Sequence, residues 1–400
     1  MPRLHLRKGG KAVETLIEMF DQRPVENILA TEVFRPARTV FLCPPEVAEQ
    51  REAERRIREY IRHRGIQTQL EFLTVGRYDA DAIRQALKKV AHRYQGCVLD
   101  VTGGSDAALF ASGMVCAETG LPAFTFSRKT KRFYNIQNAP FAGDLPCEVV
   151  FQIEDYFKMA GGDMRPGRIN REALQKYSTK IPAFFEIYLN HKRDWQQLVA
   201  YMQRASYTPK NTSVSLNVRA PFTVKGERGI VSAPVALLTA LADLGFLLHL
   251  QILGNTEVRF SFPDSEVRTW LRDVGAVLEL YVYQTCVNLG VFDDVRASVV
   301  VDWENGEKRD AVTNEIDVMT SKGIIPLFIS CKTNRLTTEA LNELAILRDR
   351  FGGKLSRAAI VTTQYCRAVT RHRADQLDIT VIDIDDLKAG RLGELLSPRR

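Results

Sequence analysis

Between residues 12 and 135, short β-branched apolar runs alternate with longer stretches in which apolar residues recur every three or four positions. Strand followed by helix, repeated, predicts a parallel sheet wrapped by helices. Strands are expected at 13–20, 39–42, 67–75, 97–101 and 122–126, with 132–137 extending the last. Helices are expected from residue 25 onward and at 46–64, 79–94 and 106–118. Within 46–64, Val47, Ala53, Ile57 and Ile61 form a stripe above a charged face, whereas 106–118 is apolar nearly all round and reads as buried on more than one side.

The periodicity stops at 160–167, where Gly161, Gly162, Pro166 and Gly167 cluster, and a linker is expected there. Residues 170–262 then mix helix and short strand: a helix near 184–205, a strand near 214–218, a helix at 233–243 and a hairpin at 247–262. That order is also the order of a winged helix. From 263 the pattern changes again, to a helix at 265–289, strands at 297–303, 315–319, 326–330 and 358–362, and a helix at 337–351. The expected fold class is α/β: a Rossmann-like parallel-sheet domain at 1–165, a connecting segment, winged-helix-like in its order, at 166–262, and a second α/β domain at 263–400. Trp195, Trp270 and Trp303 are expected as core or interface anchors.

Composition narrows the chemistry. The 400 residues, 45% hydrophobic and 26% charged, suit two or three globular domains, and a net charge of +7 spread along the chain permits a polyanionic partner. The longest run without Asp, Glu, Lys or Arg, 229–242, holds 14 residues and a proline, too few to span a bilayer. The basic N-terminus meets Glu14 and Glu18 before any apolar signal core, so the expectation is a cytoplasmic chain with no membrane partner. Seven cysteines without a CxxC pair, and six histidines never three to five residues apart, leave carboxylate oxygen as the metal ligand, the chemistry of Mg²⁺ and Mn²⁺.

Two constellations carry candidate chemistry. Leu99-Asp100-Val101-Thr102-Gly103-Gly104-Ser105-Asp106 is a strand, a Gly-Gly turn and a helix start, which is either a phosphate-receiving loop or a tight turn capped by Ser105. In the C-terminal third, Glu315 and Asp317 alternate with Ile316 and Val318, so both carboxylates belong to one strand face. Ser330 and Lys332 share a face of the next strand, after an apolar run. Glu279 stands upstream on a helix and Glu343 downstream on another. A metal-dependent phosphodiester hydrolase needs such a set, with carboxylates for the ion and a lysine for the water or the developing charge. The bland alternative is an Asp317–Lys332 surface ion pair, but a lysine that follows an apolar run and adjoins Cys331 is an odd one for a solvated face.

Asp317, then Ser330-Cys331-Lys332, preceded by the helical Glu279, resembles the PD-(D/E)xK restriction-endonuclease-like nucleases. The segments Phe20-Asp21-Gln22-Arg23-Pro24-Val25-Glu26-Asn27-Ile28 and Val101-Thr102-Gly103-Gly104-Ser105 resemble a CARF domain, the CRISPR-associated Rossmann-like sensor. Together they resemble the single-chain CARF–nuclease effectors of type III CRISPR systems. The resemblance implies a homodimer that binds a cyclic oligoadenylate, most often cyclic tetraadenylate, and is thereby activated as an Mg²⁺- or Mn²⁺-dependent nuclease on DNA, RNA or both. It implies Asp317 as metal-binding carboxylate, Lys332 as catalytic lysine, Glu279 as a further acidic member, and Asp21, Gln22, Thr102, Gly103, Gly104 and Ser105 around the activator. Ser330 stands where the motif has Asp or Glu, which leaves Glu315, Glu279, Glu343 or the Cys331 carbonyl as candidates for the second ligand. A reading from another class is a ligand-responsive transcriptional regulator that binds DNA without cutting it.

Overall fold

The computed structural model describes residues 13–165, 167–207, 215–226, 229–302 and 313–398. Its first sheet is built from β1 (Thr15–Met19), β2 (Arg38–Cys43), β3 (Gln69–Thr74), β4 (Cys97–Asp100), β5 (Ala123–Ser127), β6 (Arg132–Gln137) and β7 (Asp144–Pro146). The order is β3-β2-β1-β4-β5-β6-β7, with the first five strands parallel and the last two antiparallel. β1 is buried along its whole length, and its alternation sends Leu16 and Ile17 into different cores. The sheet is therefore covered on both faces, as the apolar runs require. Residues 132–137 are a separate antiparallel strand beside β5 rather than its extension.

Four helices depart from the periodicity, one of them the stretch 184–205, which is two helices, Ile181–Asn190 and Trp195–Ala205. The stretch 46–64 is two helices, Pro45–Gln50 and Glu52–His63, because Arg51 closes the first in the left-handed region at φ 51°. The helix Asp106–Thr119 is not buried all round: Leu109 and Phe110 are exposed, Phe110 by 69%. The stretch 265–289 is Ser265–Trp270 and Ala276–Leu289, separated where the Asp273 carboxylate accepts from Gly275 N at 2.8 Å and turns the chain.

The expected linker contains β8 (Asp163–Arg165), which pairs antiparallel with a strand of the second large sheet. The middle segment carries β9 (Asn217–Pro221), β10 (Thr223–Gly226), β11 (Gly229–Ser232), β12 (Leu248–Leu253) and β13 (Glu257–Ser261), as a β12-β13-β9 antiparallel sheet and a β10–β11 hairpin. Its helices, Ile181–Asn190 and Trp195–Ala205 among them, share one core with the C-terminal part: Phe184, Trp195, Leu238, Trp270, Val277 and Leu280 belong to a single cluster. Trp195 and Trp270 are buried, as expected of anchors; Trp303 lies outside the described residues.

The C-terminal sheet consists of β14 (Asp294–Asp302), β15 (Thr313–Lys322), β16 (Ile325–Lys332), β17 (Arg357–Thr362) and β18 (Ile379–Ile382), in the order β18-β17-β16-β15-β14-β8. β14, β15 and β16 are antiparallel neighbours, and β16, β17 and β18 run parallel. Helix Ala276–Leu289 covers one side of β14–β16, and helix Thr338–Phe351 packs against β16 and β17. The register of β14 and β15 is the same on either side of Ser298 and Asp317, but the two faces exchange there. Ala297 and Val318 pack toward the first helix, whereas Val299 and Ile316, two residues along, enter the opposite core. Ser298 carries φ 53° at this interruption of the pleat.

Candidate active site and sensor loops

The β15–β16 ladder runs from Lys322↔Ile325 to Val318↔Ile329, and Asp317 follows directly. There the carboxylate substitutes for backbone as acceptor: Cys331 N donates to Asp317 Oδ2 at 2.6 Å and Ser330 Oγ to the same oxygen at 3.1 Å. Ser330 thus secures the carboxylate of Asp317 from the position at which the motif has an acid. Burial holds the Asp317 carboxyl above its ordinary range, opposed by the Cys331 N–H, by the charge of Lys332 and by the Ser330 hydroxyl; among the described residues the Lys332 ammonium itself makes no hydrogen bond or ion pair. Glu279, 4% exposed on the helix that covers the sheet, is pushed up to about 8, by burial first and then by the charge of Asp317, with Asp273 and Glu315 adding to the rise and Arg168 opposing it. Burial and the nearby Asp317 and Glu279 also raise the Cys331 thiol well above its ordinary value, so Cys331 offers an ion its carbonyl rather than a thiolate.

Residues that periodicity does not single out complete the cluster. Arg168 NH2 donates to both oxygens of Glu279, at 2.8 and 3.0 Å, its Nε donates to Glu315 Oε1 at 2.9 Å, and its NH1 pairs with Asp273. Ser298 Oγ donates to the same Glu315 oxygen at 2.5 Å and accepts from Arg168 N at 2.8 Å. Gly167 lies against Ser298, where a Cβ would stand 1.6 Å from the carbonyl oxygen, so only glycine lets the chain pass this close. Glu343 does not join: it is exposed and accepts from Asn314 Nδ2 at 3.2 Å, one residue out of step with Glu315 on β15. The Gly-Arg step at 167–168 was a usable signal for a close approach, but it fell inside the stretch that reads as linker.

The donor set for a metal is oxygen only: Asp317, Glu279 and Glu315 carboxylates with the Cys331 carbonyl. That chemistry suits Mg²⁺ or Mn²⁺. Among the described residues no three His, Cys, Asp or Glu side chains are gathered as a ligand set, and the reason is visible, since Glu279 and Glu315 are both turned to the Arg168 guanidinium. The donor chemistry fits a divalent cation, and two of the carboxylates, Glu279 and Glu315, are paired with the Arg168 guanidinium.

The second site lies where β1 and β4 leave the first sheet. The strand order 3-2-1-4-5 reverses between them, the crevice in which open parallel sheets bind ligands. Asp21 is locked there: its N–H donates to Asn27 Oδ1 at 2.8 Å, its carbonyl accepts from Asn27 Nδ2 at 2.7 Å and its carboxylate accepts from Arg23 N at 2.9 Å. Gln22 is exposed beside it. Gly103 brings the second loop against the first, since a Cβ would stand 2.6 Å from Met19 O and 3.0 Å from Asp21 Cβ; exposed Gly104 follows at φ 97°. Thr102 donates from N to Asp100 Oδ1 at 2.7 Å and accepts from Phe126 N at 2.8 Å. Ser105 accepts from Ala108 N at 3.2 Å and donates to Arg77 O at 2.7 Å, so it caps the helix as well as facing the crevice. Asn27 holds the Asp21 loop, and Arg128 Nε donates to Glu26 Oε1 at 2.5 Å beside it.

A Rossmann-like sheet thus shares one chain with a restriction-endonuclease-like domain, and comparison with known proteins gives the same class. Residues 265–399 match the family model described as "Card1-like, endonuclease domain", and this part of the chain is similar to that domain. No curated protein matches the chain in sequence. Over 96% of both chains the fold is that of protein VC1899 from Vibrio cholerae, at 20% identity and a TM-score of 0.75. It is equally shared, over 96% of both chains, with Can2 from Sulfobacillus thermosulfidooxidans, solved in complex with cyclic tetra-adenylate, at 15% identity and a TM-score of 0.69. A type III CRISPR defence DNA nuclease activated by cyclic oligoadenylate matches 96% of this chain and 52% of its own, at 14% identity and a TM-score of 0.50.

Proposed function

We propose that this protein is a nuclease of type III CRISPR antiviral defence, switched on when a cyclic oligoadenylate, by first choice cyclic tetraadenylate, binds its β1–β4 crevice. The observation that carries the reading is that Glu279 and Glu315 share the Arg168 guanidinium while Asp317, held by Ser330 and Cys331 N, feels the charge of Lys332, in a domain similar to an endonuclease, on a chain whose first sheet has crevice loops held by Gly103 and Asn27. Asp317 and Glu279, with Glu315 or the Cys331 carbonyl, would hold a divalent ion, which supplies charge neutralisation at the phosphate and a more acidic water. Ser330 and Cys331 N keep the Asp317 carboxylate oriented, and Lys332, uncommitted in the resting chain, is the group that meets charge developing on the scissile phosphate. The substrate lies at the carboxyl ends of β16 and β17, where Arg335 and Arg367 are exposed and form no ion pair among the described residues.

The activator site is completed by a second copy. A cyclic tetranucleotide has the two-fold symmetry of an isologous dimer cleft, and the helix that begins at Ser105 presents exposed Leu109 and Phe110 as an apolar face for that copy. No helix among the described residues is long and apolar enough to cross a membrane, and the chain acts in the cytoplasm in this reading. The test incubates the protein with Mn²⁺, each ring size of cyclic oligoadenylate, and single- or double-stranded DNA or RNA. Cleavage that requires the ring and vanishes in Lys332→Ala supports the proposal. Cleavage surviving in Lys332→Ala rejects the site, and duplex binding without cleavage makes the protein a regulator.

A further inference from the structure

The segment that leaves the sensor sheet enters the nuclease sheet as its edge strand and then delivers an arginine to the acidic cluster. β8 runs antiparallel to β14, with Asp163 opposite Asp302 and Arg165 opposite Val300, so the next residues travel toward Ser298. There Gly167 crosses against the Ser298 carbonyl and Arg168 N is fixed by Ser298 Oγ at 2.8 Å. The guanidinium is spread over three carboxylates from three places in the chain, with Glu279 gripped through both oxygens. Forked contacts of this kind fix both charge and orientation. Two of the three partners, Glu279 and Glu315, are the acids that would have to turn toward Asp317 to ligate an ion.

We propose that Arg168 is an internal cation of the resting protein, and that a divalent ion is seated between Glu279 and Asp317 only when the guanidinium leaves Glu279. The inference rests on the nuclease reading of this site. It makes Arg168 a positioning residue, since it acts on the metal through the carboxylates it holds. Two cations compete for one set of oxygens, so removing the resident one must tighten binding of the other. Like-charge repulsion between guanidinium and metal acts in the same direction.

The test is Mn²⁺ binding to the full chain without any activator, read as free Mn²⁺ by electron paramagnetic resonance. Arg168→Gln is expected to bind Mn²⁺ at least about tenfold more tightly than the unaltered protein. Arg168→Lys, which keeps the charge but not the fork, is expected to fall between the two and carries the test where the glutamine variant does not fold. Thermal melts add a readout that a merely structural arginine would not move: Arg168→Gln should melt below the unaltered protein without metal and recover the difference in saturating Mn²⁺. Equal or weaker Mn²⁺ binding by both Arg168 variants overturns the inference. The nuclease reading is judged separately by Asp317→Ala: binding lost in that variant but unchanged in the Arg168 variants leaves the metal site standing without the latch. Binding that ignores Asp317 removes both.

Discussion

Glu18 and Asp100 face each other in the register of β1 and β4, each 2% exposed, directly beneath the crevice loops. Among the described residues Glu18 Oε1 has no hydrogen-bond partner, and burial with Asp100 beside it pushes this carboxyl well above its ordinary range. Asp100 is pushed up to about 7, by burial first, against the lowering bonds from Thr102. A carboxyl raised in the folded state holds its proton more tightly there than when unfolded. The stabilisation is therefore complete below pH 4 or so and is lost as pH climbs through 7. Glu18→Gln removes the need for that proton, so its melting temperature should gain on the unaltered protein between pH 5 and 8. At about 1.4 kcal/mol per pH unit for each proton involved, the gain amounts to several degrees, and parallel pH profiles for the two proteins would refute it. At this scale the sequence is readable where chemistry and period coincide. Asp317, Ser330 and Lys332 stand out because polar residues alternate with, or follow, apolar ones on strands. Arg168 does not, because what gives it meaning lies 105 to 147 residues downstream, in Asp273, Glu279 and Glu315.

Elements are legible in proportion to their length and the regularity of their burial. The parallel strands of the first sheet follow directly from apolar runs bounded by turns, as does the helix Ala80–Arg93 with Ile83, Leu87 and Val90 on its buried side. β8, a three-residue edge strand next to glycines, has no period to read. The helix break at 271–275 is set by one side chain, Asp273, bonding to Gly275 N, and hydrophobicity carries no trace of it. The Gly-Gly turn after β4 also shows why a local alternative can stay open in a sequence. Ser105 does cap the helix, and the same turn is what presses the two crevice loops together. Gly103→Ala tests the second role, since its Cβ would meet Met19 O, backbone that cannot swing aside. The expected cost is about 1–3 kcal/mol of stability together with at least about tenfold weaker activator binding. Gly113→Ala, on the same helix with nothing within 4 Å of its new Cβ, should stabilise the fold by a few tenths to about 1 kcal/mol. Thermal melts of both variants and isothermal calorimetry on Gly103→Ala check these values, and unchanged affinity in Gly103→Ala would leave only the cap.

At the scale of the molecule, the helix Ile153–Ala160 and the residues just before it bond to both the first sheet's side and the C-terminal sheet. On the sensor side Asp155, at its first turn, takes Arg64 NH1 at 3.1 Å, and Arg64 Nε reaches Glu32 at 2.5 Å. On the nuclease side Ile153 N donates to Asp294 on β14 at 3.2 Å, Ser321 Oγ on β15 donates to Phe151 O at 2.9 Å, and Phe157 meets Phe351 edge-on at 5.2 Å between ring centres. One apolar cluster joins residues of both sheets around it, among them Phe124, Phe157, Val299 and Phe328. Packed elements of this kind transmit displacement instead of absorbing it. The same helix is followed within a few residues by β8 and Arg168; in the proposed activation, a shift of its first turn at Arg64 would draw the guanidinium off Glu279 and so raise Mn²⁺ affinity when activator binds. Arg64→Met tests the path. It removes one partner from each of two buried carboxylates, Glu32, which keeps Arg35 and Tyr60, and Asp155, which keeps His63 and the Gln152 N–H, at a cost of about 1–3 kcal/mol in stability. Its specific prediction is a dissociation: activator affinity changes less than threefold or so, because Arg64 contacts neither crevice loop, while the activator-induced rise in Mn²⁺ affinity shrinks toward none. Linkage makes this measurable from either end, since an activator that no longer tightens the metal is no longer tightened by it. Full retention of that mutual effect in a folded Arg64→Met protein would place the coupling elsewhere, at the contact between the loop carrying Arg23 and Glu26 and the Phe351–Leu355 turn that lines the same cleft.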